Sequence, residues 1–177
     1  VGIAAGEKTV QLKDRTTGEV TTERYDKLVI SPGAAPIRPP LPGIDLPGVF
    51  AVRTIPDSVR IRAWIDERRP TRALVVGGGF IGLEMAENLA RRGLVITVLE
   101  KLTQVMPPLD PEMAMSVATH LRAHGVQLRL SSAVEAFEPS AEREGGVRVR
   151  TVAGDPLETD IVILAIGVRP DADLAKT

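Results

Sequence analysis

Three glycines and one acid carry the clearest chemistry in the chain. Gly77, Gly79 and Gly82 stand in the run Ala73-Leu74-Val75-Val76-Gly77-Gly78-Gly79-Phe80-Ile81-Gly82-Leu83-Glu84, and Glu100 closes the run Val95-Ile96-Thr97-Val98-Leu99-Glu100, eighteen residues after Gly82. The apolar stretch before Gly77 has strand length, the residues after Gly79 have a helical pattern, and the second apolar stretch reads as another strand. A strand, a glycine turn, a helix and a strand ending in an acid suit a dinucleotide. A pyrophosphate needs backbone N–H groups at close range, and a side chain at the turn would hold the backbone away. Gly77 permits the tight turn, Gly79 lets the main chain approach the phosphates, and Gly82 lets the helix pack on the strand. Phe80 and Ile81 open the helix at the positive end of its dipole. Glu100 can accept from both hydroxyls of an adenosine ribose and would repel a 2′-phosphate, which favours NAD(H) over NADP(H). The adjacent Lys101 offsets part of that repulsion and keeps NADP(H) as the second choice. Glu84, one turn into the helix, either faces the reactive end of the dinucleotide or is a surface acid beside Glu87, which can itself pair with Arg91 at i,i+4.

Composition narrows the field. At 177 residues and 44% hydrophobic content the chain can build a packed core. A formal net charge of −1 offers no electrostatic footprint for a nucleic acid or an anionic membrane. No apolar run has the length to cross a bilayer and the first nine residues do not read as a secretory leader, so the expected location is cytoplasmic. Cysteine is absent, which excludes disulfides, thiolate metal sites and thiol redox chemistry carried by these residues. His120 and His124 lie four apart on a predicted helix, a spacing that could serve one metal, but no acids stand near them in a suitable pattern. They read as ordinary helix residues, and no metal site is expected.

The elements that must position the glycine turn follow from the flanking pattern. Residues 9–24 predict a hairpin turning at Arg15-Thr16-Thr17-Gly18, and Tyr25-Asp26-Lys27-Leu28-Val29-Ile30 predicts a short buried strand stopped by Ser31-Pro32-Gly33. Six prolines, at 32, 36, 39, 40, 42 and 47, make a semi-rigid connector. Thr54-Ile55-Pro56-Asp57 is a helix start with a capping acid, and the helix should run to about Arg69 with Val59, Ile61, Ala63, Trp64 and Ile65 inward. The helix after the glycine turn ends at Gly93. Asp110 and Pro111 start another helix, in which Met113, Val117, Leu121 and His124 recur at steps of four or three residues, with the methionines as core filler. A third strand follows at 126–130, completing β-α-β-α-β. Strands at 133–138 and 147–152 form an antiparallel meander covering one face of the sheet, and a return strand at 161–166 ends at Gly167. The fold class is therefore α/β, a Rossmann-like parallel sheet with helices and an antiparallel β-meander, preceded by an N-terminal β segment.

Several of these stretches together point further. Tyr25-Asp26-Lys27-Leu28-Val29-Ile30-Ser31-Pro32-Gly33-Ala34, the Pro-Gly-Ile-Asp-Leu-Pro-Gly-Val of 42–49, the glycine turn with Leu83-Glu84, residues 104–113 and Ala165-Ile166-Gly167-Val168-Arg169-Pro170-Asp171 resemble the flavin-dependent pyridine nucleotide-disulfide oxidoreductases. Among these the chain is most similar to coenzyme A-disulfide reductases and NADH oxidases or peroxidases. The resemblance implies a piece of a longer, homodimeric flavoprotein. Residues 1–30 would be the last strands of a first flavin-binding segment, 31–53 an inter-domain linker, 54–167 the NAD(P)H-binding domain, and 168–177 the start of the return to the flavin domain. FAD would belong to the full-length parent only, with the parent's flavin domain as a partner, and no catalytic residue lies in this chain. The resemblance further implies that Phe80 occupies a gating position over the nicotinamide pocket where a tyrosine is common, that Glu84 lies near the nicotinamide, and that the backbone of Ala165, Ile166 and Gly167 lines the nicotinamide side. In the parent, hydride would pass from NADH to FAD and then to a disulfide, polysulfide, peroxide or oxygen. The alternatives are the nucleotide domain of a ferredoxin- or rubredoxin-type reductase, a non-catalytic NAD-binding module, and a methyltransferase.

Overall fold

The computed structural model describes residues 2–152 and 154–176. The chain divides into two compact units, one made of the residues up to 35 with those from 168 onward, the other of Pro36–Gly167. In the first, β1 (Ile3–Ala4), β2 (Thr9–Lys13) and β3 (Val20–Arg24) form an antiparallel sheet in that order. The predicted hairpin turn is held by the Asp14 carboxylate, whose Oδ1 accepts from the Thr16 and Thr17 N–H groups at 2.7 and 2.8 Å. The predicted strand at 25–30 does not form, and Val29 is 89% exposed. An apolar run becomes a strand only where a neighbour accepts its backbone hydrogen bonds, and no strand among the described residues pairs with this one. β4 (Ala34–Pro36) follows.

The second unit contains the glycine turn. Its elements in chain order are β5 (Val49–Ala51), α1 (Ile55–Arg68), β6 (Arg72–Val76), α2 (Phe80–Arg91), β7 (Val95–Leu99), α3 (Pro111–Ala123), β8 (Gln127–Arg129), β9 (Val134–Pro139), β10 (Val147–Thr151), β11 (Leu157–Thr159) and β12 (Ile161–Leu164). β5, β12, β6, β7 and β8 form one parallel sheet in that spatial order. Beyond β12 the chain re-enters the first unit, where β13 (Val168–Pro170) pairs with β4.

Both faces of the parallel sheet are covered, which explains why its central strands are almost continuously apolar. Alternate residues point to opposite sides. Ala73, Val75, Ile96, Val98, Ile161 and Ile163 pack with Ile61 of α1 and with Ala86 and Leu89 of α2. Leu74, Val76, Leu99, Val162 and Leu164 pack with Phe137, Val147 and Val149 of the antiparallel sheet β11-β10-β9. The meander is thus the lid of one face.

Some local expectations are corrected. Residues 31–53, read as a linker, include β5, a strand of the parallel sheet, and from Pro36 on they belong to the second unit. A three-residue strand framed by prolines leaves too short a pattern to read. In α1, Ile61, Trp64 and Ile65 face inward but Val59 and Ala63 are exposed, because at 3.6 residues per turn those two fall on the opposite side. In α3 the buried positions are Ala114 and Ala118, with Val117 and Leu121 beside them, whereas Met113 is 60% exposed. Small alanines bring the helix close to its neighbours, and the methionine is not core filler. Asp110 occupies the N-cap position without a side-chain capping bond.

Two polar devices fix the frame. Thr54 and Asp57 form the expected capping box at α1, with the Thr54 N–H donating to Asp57 at 2.8 Å. That N–H, the Thr54 hydroxyl and Arg60 hold the Asp57 carboxyl at about 2. A second cluster ties the meander to the parallel sheet. Asp160 accepts from the Thr71 and Arg72 N–H groups at 2.7 and 2.9 Å and forms a two-pronged pair with the Arg143 guanidinium, whose Nη2 also donates to the Thr71 hydroxyl at 2.8 Å. Burial alone would raise the Asp160 carboxyl, but Arg143 and the two backbone amides outweigh it and hold the group at about 2. A carboxyl depressed in the folded state adds stability above its unfolded pKa of roughly 3.9, and that stability is lost as pH falls through the folded value. Asp160→Asn should therefore lower unfolding stability near pH 7 by about 2 kcal/mol, and its deficit against wild type should shrink between about pH 4 and pH 2 in parallel denaturant titrations.

Candidate functional site

The glycine turn leaves the carboxyl end of β6, Glu100 follows the carboxyl end of β7, and Ala165 follows that of β12. Since β12 and β7 flank β6 on opposite sides, the chain runs outward in both directions from this point. In open parallel sheets such a switch point is where ligands sit.

Close approach dictates the glycines. Gly77 adopts φ +109°, and a side chain there would strike the Ala165 carbonyl oxygen. At Gly82 a Cβ would overlap the Gly77 carbonyl oxygen and press on Val75 at 3.3 Å. Gly79 differs, because a Cβ there would meet nothing within 4 Å. It is the N-cap of α2 with no side-chain cap, so the amides of the first turn at Phe80, Ile81 and Gly82 lack intrahelical acceptors. Open space beside uncapped amides at a helix N-terminus is what a phosphate group requires. The residues present fit a dinucleotide pyrophosphate.

Glu100 is 8% exposed. Its Oε2 accepts from the Gly78 N–H at 2.6 Å and its Oε1 from the Leu102 N–H at 2.8 Å. Each oxygen retains a lone pair that a ribose hydroxyl can use. Lys101 beside it is exposed and makes no ion pair among the described residues. Phe80 is 64% exposed and Ile81 is exposed as well, both on the first turn of α2. Glu84 is exposed, and its carboxylate has no ion pair among the described residues, whereas Glu87 pairs with Arg91 at 2.6 Å. Ala165 and Ile166 bring their backbone against Gly77, the Ala165 N–H donates to Val76 at 2.7 Å, and the Gly167 carbonyl accepts from Ile37 at 3.0 Å.

Residues outside the sequence expectation also build the site. The Gly78 carbonyl accepts from the Met106 N–H at 2.8 Å, and the fully buried Val105 lies against Gly78. The only trace of this in the sequence is the apolar Val105-Met106 inside an otherwise loop-like stretch. A concavity of about 510 Å³ elsewhere in the unit is lined by Arg38, Asp45, Arg53, Asp57, Arg60 and Trp64, with Arg38 and Arg60 already paired to Asp45 and Asp57. The histidine rings of His120 and His124 stack with centroids 4.2 Å apart, and among the described residues no group of three metal-ligating side chains gathers around them.

A parallel sheet with a glycine turn, an uncapped helix start and a buried acid at the next strand end defines a dinucleotide-binding α/β domain. The chain belongs to the pyridine nucleotide-disulphide oxidoreductase family, whose model matches residues 1–177. It is 44% identical over 153 residues to the NADH oxidase of Methanocaldococcus jannaschii, covering 86% of this chain and 33% of that protein. The solved structure of reduced Bacillus anthracis CoADR-RHD is 47% identical with a TM-score of 0.93, covering 99% of this chain and 31% of the other. The water-forming NADH oxidase of Lactobacillus brevis bound to NADH is 37% identical with a TM-score of 0.89, covering 99% and 38%. An engineered form of that oxidase, bound to NADPH, is 36% identical with a TM-score of 0.88, covering the same shares. The chain spans about a third of the length of the relatives it matches.

The two glycines that look alike in sequence should respond differently to alanine. Gly79→Ala should fold, with a stability change of about 0.5 kcal/mol from the altered N-cap, yet lose at least ~10-fold in dinucleotide affinity because its methyl fills the open space. Gly82→Ala should instead cost stability, about 1 kcal/mol, because the helix must shift from the Gly77 carbonyl oxygen to admit the methyl. Thermal unfolding and nucleotide titration of both variants check this.

Proposed function

We propose that this chain is the nicotinamide-dinucleotide-binding part of a flavoprotein oxidoreductase that passes hydride from NADH to FAD and onward to a disulfide, polysulfide, peroxide or oxygen. The observation that carries the reading is the open, uncapped turn from Gly79 to Gly82 at the switch point of the parallel sheet. When bound, the nicotinamide supplies the hydride and the flavin accepts it; the protein contributes position and electrostatics.

In this reading the amides of Gly79, Phe80, Ile81 and Gly82 take the pyrophosphate, and Glu100 accepts from the adenosine ribose. The exposed ring of Phe80 gates the nicotinamide side sterically, without the hydroxyl a tyrosine would bring. Glu84 offers a free carboxylate to the nicotinamide end, and the backbone from Ala165 to Gly167 forms its wall. The 177 residues hold no cysteine and one glycine fingerprint, so the chain alone binds nucleotide without turning it over, and the flavin site and redox thiol are supplied by the remainder of the parent. NADH is preferred to NADPH. In support, the engineered NADPH-bound oxidase has a glycine, and eighteen, nineteen, twenty and twenty-five residues further on an aspartate, an alanine, a methionine and a proline, all replaced, the aspartate by alanine and its neighbour by arginine. The same intervals here, counted from Gly82, fall on Glu100, Lys101, Leu102 and Pro107. The acid that would repel a 2′-phosphate is present, and Lys101 tempers the preference without reversing it.

Calorimetric titration with NADH, NADPH and S-adenosylmethionine tests the reading. NADH should bind most tightly, and binding of S-adenosylmethionine alone would overturn the assignment. Glu84→Gln, at an exposed position, should leave the melting temperature unchanged and weaken NADH by roughly 3- to 10-fold, about 1 kcal/mol.

A further inference from the structure

Gly78 is the middle glycine of the turn, and both its backbone groups are already committed. Its N–H donates to Glu100 Oε2 at 2.6 Å, its carbonyl accepts from the Met106 N–H at 2.8 Å, and Val105 closes over it. The same carboxylate reaches forward to the Leu102 N–H at 2.8 Å. The backbone of Glu100 is pinned as well, its N–H donating to Arg129 and its carbonyl accepting from Ser132, at 2.8 and 3.0 Å. A carboxylate more than nine-tenths buried thus joins the glycine turn to the loop after β7 through two charge-assisted bonds, which are shorter and roughly twice as strong as neutral ones.

We infer that Glu100 is a positioning residue for the pyrophosphate as well as a partner for the ribose: by holding Gly78 against residues 102–106, it presets the turn that leaves the amides of Gly79 to Gly82 open to an anion. This rests on the nucleotide-binding reading above and adds a consequence of opposite sign to simple electrostatics. Removing a negative charge beside an anion site should strengthen anion binding. Removing the tether should weaken it, because the turn then has to be ordered at the moment of binding.

Inorganic pyrophosphate separates the two, since it has no ribose for Glu100 to touch. In the full chain, titrated with pyrophosphate and with NADH, Glu100→Gln should bind pyrophosphate at least ~10-fold more weakly than wild type. Amide exchange at Val75 inside β6 reports that the sheet is intact, while exchange at Gly78 and Leu102 should quicken at least ~10-fold. In wild type, independently of any variant, Gly78 and Leu102 should exchange slowly and Gly79 and Phe80 fast. Unchanged or tighter pyrophosphate binding by Glu100→Gln, or fast exchange of Gly78 in wild type, overturns this inference alone. Failure of wild type to bind NADH overturns the nucleotide reading and this inference with it.

Discussion

Helix α2 begins directly above the end of β6 because Gly82 has no side chain. A Cβ at that position would meet the Gly77 carbonyl oxygen, so helix and strand would have to move slightly apart to accommodate one. The rest of the site depends on this contact. It aims the unsatisfied amides of the first turn at the carboxyl edge of the sheet, and it packs Ala86 and Leu89 of the same helix onto Val75 and Ile96. Gly77, the other partner in the contact, itself lies against the Ala165 backbone that leaves β12. One close approach therefore couples the core to the site.

The sheet can carry an open edge at its carboxyl end because both its faces are sealed. The helices close one face and the meander the other, and the Asp160, Arg143 and Thr71 cluster locks the meander to the opposite end of β6. Structural charge thus sits at the amino end of the strands, and the uncapped amides of α2 sit at the carboxyl end. Glu100 crosses this division. It is as buried as a structural acid, yet it stands at the strand end where a ribose would lie.

What the sequence revealed and what it hid follow from the range of the interactions. The glycine turn, the Thr54 and Asp57 capping box and the hairpin of β2 and β3 are set by residues a few positions apart, and each was legible. β5 was hidden because three residues between prolines become a strand only through their neighbour β12. Residues 25–30 misled for the converse reason: the pattern is strand-like, but no strand among the described residues accepts it. In α3, the four-residue recurrence of Met113, Val117 and Leu121 drew attention from Ala114 and Ala118, which bury because they are small. The grip of Glu100 on Gly78 spans twenty-two residues, and nothing in the local pattern distinguishes it from a ribose contact alone.

On the proposed reading, the turn from Gly79 to Gly82 is where the dinucleotide's phosphates are held. Amide chemical-shift mapping of the chain during NADH titration tests it most directly. The largest shifts should arise at Gly79, Phe80, Ile81 and Gly82, with the amides of Arg38 and Arg60 at the separate concavity unmoved. Shifts centred on that concavity, with the glycine turn silent, would contradict it.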